Sequence, residues 1–187
     1  MTDHWLARYL LRPQTHLGVI PRPEDQAAAV LLPLLAREGQ LQLLLTRRSL
    51  SLRHHPGQIS FPGGRFDPTD GDLRTTALRE THEELGIPPE AVRLLGRLPG
   101  YHTVTGFHIT PYLGLLAPGA RWQAASGEVA EAFTLPLKDL LDPARYGRWR
   151  FVRHGKLTSA WGISLQGYLI WGATARILQE LARLSSE

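Results

Sequence analysis

A helix carrying three closely spaced glutamates is predicted near the middle of this chain of 187 residues. Asp72 can cap the first turn of the helix, and Gly86 ends it. Glu80, Glu83 and Glu84 lie in its last two turns. At about 100° per residue, their carboxylates project into one sector about 100° wide. Any fold of this chain therefore brings three negative charges to one face of one helix.

A solvated surface is the usual setting for such a charged cluster, but it is energetically unfavourable here. Like charges three or four residues apart cost a few tenths of a kcal/mol each, and the helix dipole disfavours negative charge in the last turns. If partly buried, two carboxylates about 6 Å apart repel by roughly 3 kcal/mol at an effective dielectric constant of about 20. A divalent cation bound between the carboxylates replaces this repulsion with a net attraction. Carboxylate oxygens are suitable ligands for Mg²⁺ or Mn²⁺. The pattern therefore favours a metal site.

A glycine-rich loop, Phe61-Pro62-Gly63-Gly64, precedes this helix. Glycine allows backbone conformations that are closed to other residues, and it lets main-chain groups approach a ligand closely. Gly63 and Gly64 are therefore candidate substrate-binding residues, and a carbonyl in this loop could add an oxygen ligand to the metal. Paired glycines alone also mark ordinary turns, so the loop supports the metal site only in combination with the helix.

The rest of the chain predicts strands interleaved with helices, which indicates an α/β layered domain. Apolar runs with bounding turn residues predict strands at 27–35, 41–47, 91–98, 107–116 (interrupted by Pro111), 129–135 and 149–153. Helices are predicted at 72–85, 137–141 and about 168–184, and residues 50–71 are predicted to be mostly loop. We expect one domain over 1–187, with an N-terminal extension at 1–25 and a core at about 26–184. The extension is predicted to hold a short amphipathic helix built on Trp5, Leu6, Tyr9 and Leu10.

Composition narrows the class of protein. There is no cysteine, which excludes disulfides and thiolate metal sites and fits a reducing compartment. No apolar stretch of about 18 residues predicts a membrane span, and the N-terminus does not have the pattern of a signal peptide, so we expect a cytoplasmic protein. The net charge of +4 favours anionic partners. The basic residues are dispersed, however, so a nucleic-acid partner is disfavoured.

The loop and helix together resemble the Nudix box. The matching residues are Gly64, a spacer, and then Arg79-Glu80-x-x-Glu83-Glu84-x-Gly86-Ile87. The spacing from glycine to arginine is one residue longer than usual, and Thr81 replaces an aliphatic residue. The acidic residue expected eight positions before the arginine is Gly71 here, so either Asp70 or Asp72 is predicted to take that structural role.

A second resemblance is to the coenzyme A pyrophosphatases within that family. Leu44-Leu45-Thr46-Arg47-Arg48-Ser49, Arg53, Gly57 and the 61–64 loop match their upstream signature in every spacing. Segments 128–131 and 167–178 are similar to their later regions. The resemblance covers about residues 27–180 in outline and is tight over 44–87.

The resemblance implies an α/β/α sandwich with a mixed β-sheet and hydrolysis of the diphosphate in CoA or its derivatives. The products would be 4′-phosphopantetheine, or its acyl form, and adenosine 3′,5′-bisphosphate. It also implies that Glu80 and Glu84 ligate Mg²⁺ or Mn²⁺. Glu83 is expected to bind a further metal ion or to be held by Arg79, and we assign it as a second-metal ligand.

The general base is left open by the sequence. It could come from the box helix, as Glu83 or Glu84, or from a distant loop, as Glu128 or Glu131, of which Glu131 is expected to lie within a strand. Arg48 and Arg53 are candidates for binding phosphate, because a guanidinium matches phosphate oxygens. Arg53 could equally brace the glycine loop. We interpret His54 and His55 as solvated, and Trp161 and Trp171 as core or interface residues rather than adenine platforms.

Other interpretations of the function remain open from the sequence. Within the enzyme class, the substrate could be ADP-ribose, NADH or a nucleoside triphosphate. From another class, the chain could be a non-catalytic nucleotide-binding regulatory module, although such a module would be expected to lose box glutamates. Processing of RNA ends is disfavoured by the dispersed basic residues. The sequence does not determine the oligomeric state, and a homodimer is one option.

Overall fold

The computed structural model describes residues 22, 24–124, 127–153 and 155–186. The N-terminal helix predicted around Trp5 lies outside these residues. The strands are β1 (Gln26–Arg37), β2 (Gln40–Arg48), β3 (Ile59–Ser60), β4 (Gly63–Arg65), β5 (Val92–Arg97), β6 (Tyr101–His102), β7 (Phe107–Leu116), β8 (Val129–Pro136), β9 (Tyr146–Arg153), β10 (Lys156–Leu165) and β11 (Tyr168–Trp171). The helices are α1 (Leu73–Leu85), α2 (Leu137–Leu140) and α3 (Gly172–Ser186).

Strands β1 to β8 form one mixed sheet. Its central order is β3-β2-β1-β7-β5, with β4 beside β1, β6 beside β7 and β8 beside β2. Strands β1 and β7 run parallel, with Val30 opposite Pro111, and the other pairs of this sheet are antiparallel. Parallel neighbours need a long crossover connection, and α1 lies within the one that joins β1 to β7.

The first hairpin of the sheet joins β1 to β2. Arg37 pairs with Gln40 across a two-residue turn. Glu38 and Gly39 both have positive φ angles, 53° and 73°. Two positive φ angles in succession are typical of the type I′ turn, whose twist matches that of the flanking strands.

The mixed sheet is covered on both faces, which explains why its central strands are continuous apolar runs. Alternate residues of β1 and β2 point to opposite faces. On one face Ala29, Leu31 and Leu44 pack with α1 residues such as Ala77 and Leu85. On the other face the packing involves α2, α3 and the second sheet, and it includes Leu32, Leu34, Leu43, Leu45, Leu137, Ile163, Ile170 and Leu178. The α/β/α sandwich with a mixed sheet is thereby confirmed.

A second sheet, ordered β11-β10-β9 and antiparallel throughout, precedes α3. Here the sequence prediction was partly wrong. The helix predicted from about 168 to 184 begins only at Gly172, because Leu169, which fits its four-residue period, lies on β11. Strand β10 was not predicted, and β9 begins three residues earlier than the predicted 149.

Two smaller features also differ from the prediction. Strand β7 runs unbroken through Pro111, whose carbonyl accepts a hydrogen bond from Leu98 N at 2.8 Å. The segment 50–71 contains the short strands β3 and β4 within its loops. None of the described helices has the length and apolar character needed to cross a bilayer.

Candidate active site

Helix α1 begins and ends as its sequence predicts. The Asp72 side chain accepts a hydrogen bond from Thr75 N at 2.7 Å, and Gly86 closes the helix in the left-handed conformation with φ 67°. The buried face carries Ala77, Thr81 and Leu85, which fix the helix against the sheet. This packing sets the direction in which the glutamates of α1 project.

Glu80 and Glu84 face the glycine loop. The N–H of Gly63 donates to Glu84 Oε2 at 3.4 Å. A β-carbon on Gly64 would overlap the carboxylate of Glu80, and one on Gly63 would overlap the backbone of Ala29 and Val30. Gly63 also has φ 149°, within the range that side chains disfavour. The two glycines are therefore required for the loop to approach the carboxylates.

Burial and mutual repulsion leave the ionised carboxylates poorly stabilised. Glu84 is only 7% exposed. Its burial, followed by the charge of Glu80, raises the pKa of Glu84 to about 8, against the opposing effects of the Gly63 N–H and the Arg48 charge. Burial likewise raises the pKa of Glu80, which Arg79 opposes. The charge of Glu128 raises both pKa values, so Glu128 lies close enough to act on both carboxylates.

Arg79 organises the other side of this cluster. Its guanidinium grips Asp70 through two bonds, Nε to Oδ1 at 2.7 Å and Nη2 to Oδ2 at 3.1 Å. Its Nη1 donates to Glu80 Oε1 at 3.0 Å and to Glu83 Oε2 at 2.9 Å. Arg79, aided by the Thr76 hydroxyl, holds the pKa of Asp70 far below its usual value. Asp70 therefore takes the structural role that the sequence left open between Asp70 and Asp72, and Asp72 caps the helix.

Glu83 occupies a different position from its two neighbours. Its side chain is 55% exposed and pairs with Arg79. This arrangement matches the expectation that Arg79 holds Glu83, and its assignment as a second-metal ligand stays a prediction. Among the described residues, no three His, Asp or Glu side chains are grouped as a ready-made metal site.

The two loop candidates for the base differ in their surroundings. Glu131 lies within β8, as expected, where Arg47 Nη2 pairs with its Oε2 at 2.6 Å and the Tyr168 hydroxyl donates to its Oε1 at 2.7 Å. Both carboxylate oxygens of Glu131 are thus engaged. Glu128 is exposed just before β8, and its carbonyl accepts a hydrogen bond from Ser49 N at 2.8 Å.

A β-bulge separates these two glutamates. Arg47 pairs with Glu131 and Arg48 with Val129, so Ala130 is the extra residue of β8. Bulges are common beside active sites, where they redirect side chains. The carboxylate of Glu128 acts on Glu80 and Glu84, whereas that of Glu131 is bound to Arg47 and Tyr168. The contribution of Tyr168 was missed from the sequence, because its segment was assigned to the last helix.

The two candidate arginines, Arg48 and Arg53, differ in their burial and surroundings. Arg48 is half-buried at the end of β2, its charge acts on Glu84, and its buried Nε has no hydrogen-bond partner among the described residues. Arg53 is exposed in the following loop, as is His54. His55 is half-buried with φ 54°, so the expectation that both histidines are solvated holds for His54 only.

The residues around Glu80 and Glu84 fit a divalent cation. A buried carboxylate that receives one long backbone hydrogen bond, beside a second carboxylate, is stabilised when a positive ion is added. Mg²⁺ is usually held by one or two carboxylates, with waters and substrate phosphates completing its octahedron. A donor set of two carboxylates suits this mode of binding, which requires no complete protein cage.

Comparisons with known proteins agree with this geometry. The NUDIX domain family matches residues 25–155. A protein of Enterobacter sp. (strain 638), named as the uncharacterized Nudix hydrolase NudL, is 45% identical over 181 residues, which cover 96% of this chain and 92% of that protein.

Solved structures show the same fold. The NUDIX domain of Shewanella oneidensis NrtR, complexed with ADP ribose, superposes with a TM-score of 0.52 at 23% identity and covers 75% of this chain and 86% of its own. A NUDIX hydrolase from Alicyclobacillus acidocaldarius superposes with a TM-score of 0.53 at 18% identity and covers 88% of this chain and 93% of its own.

Proposed function

This chain belongs to the Nudix family, and on that premise we propose that it hydrolyses the diphosphate bond of coenzyme A or of a CoA derivative. As a Nudix hydrolase it is a pyrophosphohydrolase of nucleoside diphosphate derivatives, and such enzymes use divalent metal ions. The proposed cofactor is Mg²⁺ or Mn²⁺, held by Glu80 and Glu84. The proposed products are 4′-phosphopantetheine, or its acyl form, and adenosine 3′,5′-bisphosphate.

The observation that carries the hydrolase chemistry is the pair of buried Glu84 and half-buried Glu80 against the glycine loop. Their mutual repulsion and burial make an ionised pair unfavourable without a cation. When bound, the metal ion neutralises charge on the phosphate oxygens and lowers the pKa of a water. Because Gly64 has no side chain, the loop backbone can lie against the Glu80 carboxylate, where a β-carbon would overlap it.

The remaining steps are assigned to residues of the chain. Glu128, exposed and close to Glu80 and Glu84, is the proposed general base that takes the proton of the attacking water. Arg48 is the proposed diphosphate ligand, because its buried Nε has no hydrogen-bond partner in the described part of the chain and its charge reaches Glu84. Arg79 holds Glu80 and Glu83 in place while Asp70 fixes Arg79.

The CoA assignment is supported by the way the signature residues fold together. Arg48 N donates to Gln58 O at 3.0 Å, and Gly57 N donates to Arg48 O at 3.1 Å, so the loop closes back onto β2. Phe61 is 3% exposed and anchors the end of this segment in the core. The signature over 44–64 is therefore one structural unit that ends in the glycine loop beside Glu80.

The test is product identification by mass spectrometry after incubation with CoA and Mg²⁺ in water enriched with heavy oxygen. The proposal expects 4′-phosphopantetheine and adenosine 3′,5′-bisphosphate, with one of them carrying the label. A parallel panel contains dephospho-CoA, ADP-ribose, NADH and nucleoside triphosphates. A tenfold preference for any of the last three over CoA would replace the CoA assignment and leave the hydrolase assignment in place.

One alternative substrate has an observation in its favour. The NUDIX domain of Shewanella oneidensis NrtR, which shares the fold, was solved with ADP ribose. ADP-ribose shares the adenosine diphosphate portion of CoA but has no 3′-phosphate. Comparing CoA with dephospho-CoA in the same panel measures how strongly that phosphate is recognised. A non-catalytic module would bind one of these ligands tightly and form no product.

A further inference from the structure

A pocket of about 260 Å³ lies between the loop after β2 and the second sheet. Its lining residues are His55, Pro56, Gly57, Gln58, Phe151, Val152 and Trp171. The rings of Phe151 and Trp171 have centroids 5.0 Å apart and planes inclined at 46°. The volume equals that of about nine liquid water molecules, and adenine has about ten non-hydrogen atoms. The space therefore suits one planar heteroaromatic ring.

One wall of the pocket is hydrogen-bonded to the end of β2 that carries Arg48. Gly57 and Gln58, which form one wall, are both hydrogen-bonded to the backbone of Arg48. Chains joined in this way lie about 5 Å apart. Because Arg48 is the proposed diphosphate ligand and this wall lies about one strand spacing from its backbone, the base of the same nucleotide can reach the wall.

The wall formed by His55 to Gln58 is structurally fixed. His55 holds a positive φ of 54°, a strained conformation for a residue other than glycine, and such strain is concentrated at ligand sites. Behind Gln58, a β-carbon on Gly172 would lie 3.2 Å from its Nε2, so α3 begins close against this wall. The Thr174 hydroxyl donates to Ile59 O at 3.1 Å, which ties α3 to the residue that follows Gln58.

We propose that this pocket binds the adenine ring of the substrate. The proposal rests on the proposed function, which supplies an adenine nucleotide. The aromatic side chains offer ring faces for stacking, and the Gln58 amide offers a donor and an acceptor for a base edge. Among the described residues, those that line the pocket carry no carboxylate that would repel an anionic nucleotide. Trp171 is half-buried, and in this proposal its ring forms part of the pocket wall.

The experiment measures the affinity for adenosine 5′-monophosphate by calorimetry, together with kcat and KM for CoA. The test variants are Phe151→Leu, which removes an aromatic wall, and Val152→Trp, which fills the pocket from a position that is 70% exposed and so does not disturb the core. The control is Trp161→Leu, an exposed ring on the same hairpin that does not line the pocket.

Each test variant is expected to weaken binding of the monophosphate about tenfold, the loss expected for one base–ring contact, and to raise KM similarly with kcat within about twofold. The control keeps wild-type values. Unchanged affinity in both test variants, or no binding to the wild type at millimolar concentration, overturns the proposal. Weakened binding of 4′-phosphopantetheine in place of adenosine monophosphate also overturns it, because the pocket would then hold the other arm of CoA.

Failure of the two proposals can be distinguished because monophosphate binding requires no turnover. If CoA is not hydrolysed while binding depends on Phe151 and Val152, the substrate assignment fails and the adenine pocket stands. If CoA is hydrolysed with the same KM in all variants, the substrate assignment stands and the adenine pocket fails.

Discussion

The backbone N–H of Gly63 donates to the Glu84 carboxylate at 3.4 Å and so connects the glycine loop to α1. The bond is long, and Glu84 is 7% exposed. Such a contact compensates little of the cost of burying an ionised carboxylate. A cation held by Glu80 and Glu84, as proposed, would supply the compensation that the contact of α1 with the β4 loop does not.

Glu84→Gln is expected to lower kcat/KM at least a hundredfold, because a neutral amide binds Mg²⁺ poorly and the metal supplies several kcal/mol of transition-state stabilisation. Steady-state kinetics with CoA at saturating Mg²⁺ measure the loss. Glu90→Gln, an exposed glutamate beyond the helix, is the matched control and should keep wild-type rates. Wild-type turnover by Glu84→Gln would rule out the metal assignment.

Stability without metal is expected to fall as pH rises. The pKa of Glu84 is about 8 in the folded protein and 4.5 ordinarily, so between these values the folded state keeps a proton that the unfolded state has lost. The free energy of unfolding therefore decreases from about pH 4.5 to pH 8 and then levels off. Urea unfolding of wild type and Glu84→Gln at several pH values measures this difference.

Added Mg²⁺ should reverse this trend, because a bound cation favours the ionised carboxylate and its binding releases a proton at neutral pH. Calorimetry in buffers of different ionisation enthalpy detects the released proton. If the free energies of unfolding of wild type and Glu84→Gln without metal change in parallel with pH, the raised pKa of Glu84 is contradicted.

Much of the fold could be predicted from local patterns. The α1 boundaries follow from Asp72 and Gly86, and the first hairpin follows from the turn at Glu38 and Gly39. The end of the chain could not be predicted in this way. Leu169 fits a helical period by coincidence, and only pairing with Ser164 on β10 makes its segment a strand.

Gly64→Ala is expected to abolish activity while leaving the rest of the fold intact. The added β-carbon would overlap the Glu80 carboxylate, which must then move away from Glu84. Mg²⁺ affinity, measured by calorimetry in the presence of product, should fall at least tenfold, the size of effect seen when metal ligands lose their orientation. Gly147→Ala is the control, since its β-carbon meets open space. Equal loss in both variants would point to general destabilisation.

Asp70→Asn is expected to destabilise the protein by roughly 2 kcal/mol, because Arg79 loses two charge-assisted hydrogen bonds to a side chain that is 3% exposed. Because the pKa of Asp70 is lowered, its contribution to the free energy of unfolding changes with pH in the opposite direction to that of Glu84. Its stabilisation is present above its ordinary pKa of 3.8 and is lost as pH falls below that value. Urea unfolding at pH 7 and at pH 3 should therefore show a larger difference between wild type and variant at pH 7.

The site itself was only partly predictable, because sequence spacing describes the helix but not what packs against it. The grouping of Glu80, Glu83 and Glu84 follows from the helical period. Glu83 differs from the other two in its exposure, although Arg79, which is held by Asp70, pairs with both Glu80 and Glu83. The difference between Glu128 and Glu131 depends on a bulge in β8, which leaves no mark in the sequence.

Glu128→Gln is expected to lower kcat about a hundredfold with little change in KM, because removal of a general base typically costs a factor of 10² to 10⁴. Mg²⁺ affinity, measured by calorimetry, should stay within about twofold of wild type, which distinguishes loss of a base from damage to the metal site. Glu131→Gln is the matched comparison. It keeps an acceptor for Tyr168 but weakens the pair with Arg47, so it should lower kcat less than about tenfold. If Glu131→Gln lowers kcat about a hundredfold and Glu128→Gln does not, the base is Glu131, and β8 must rearrange when substrate binds.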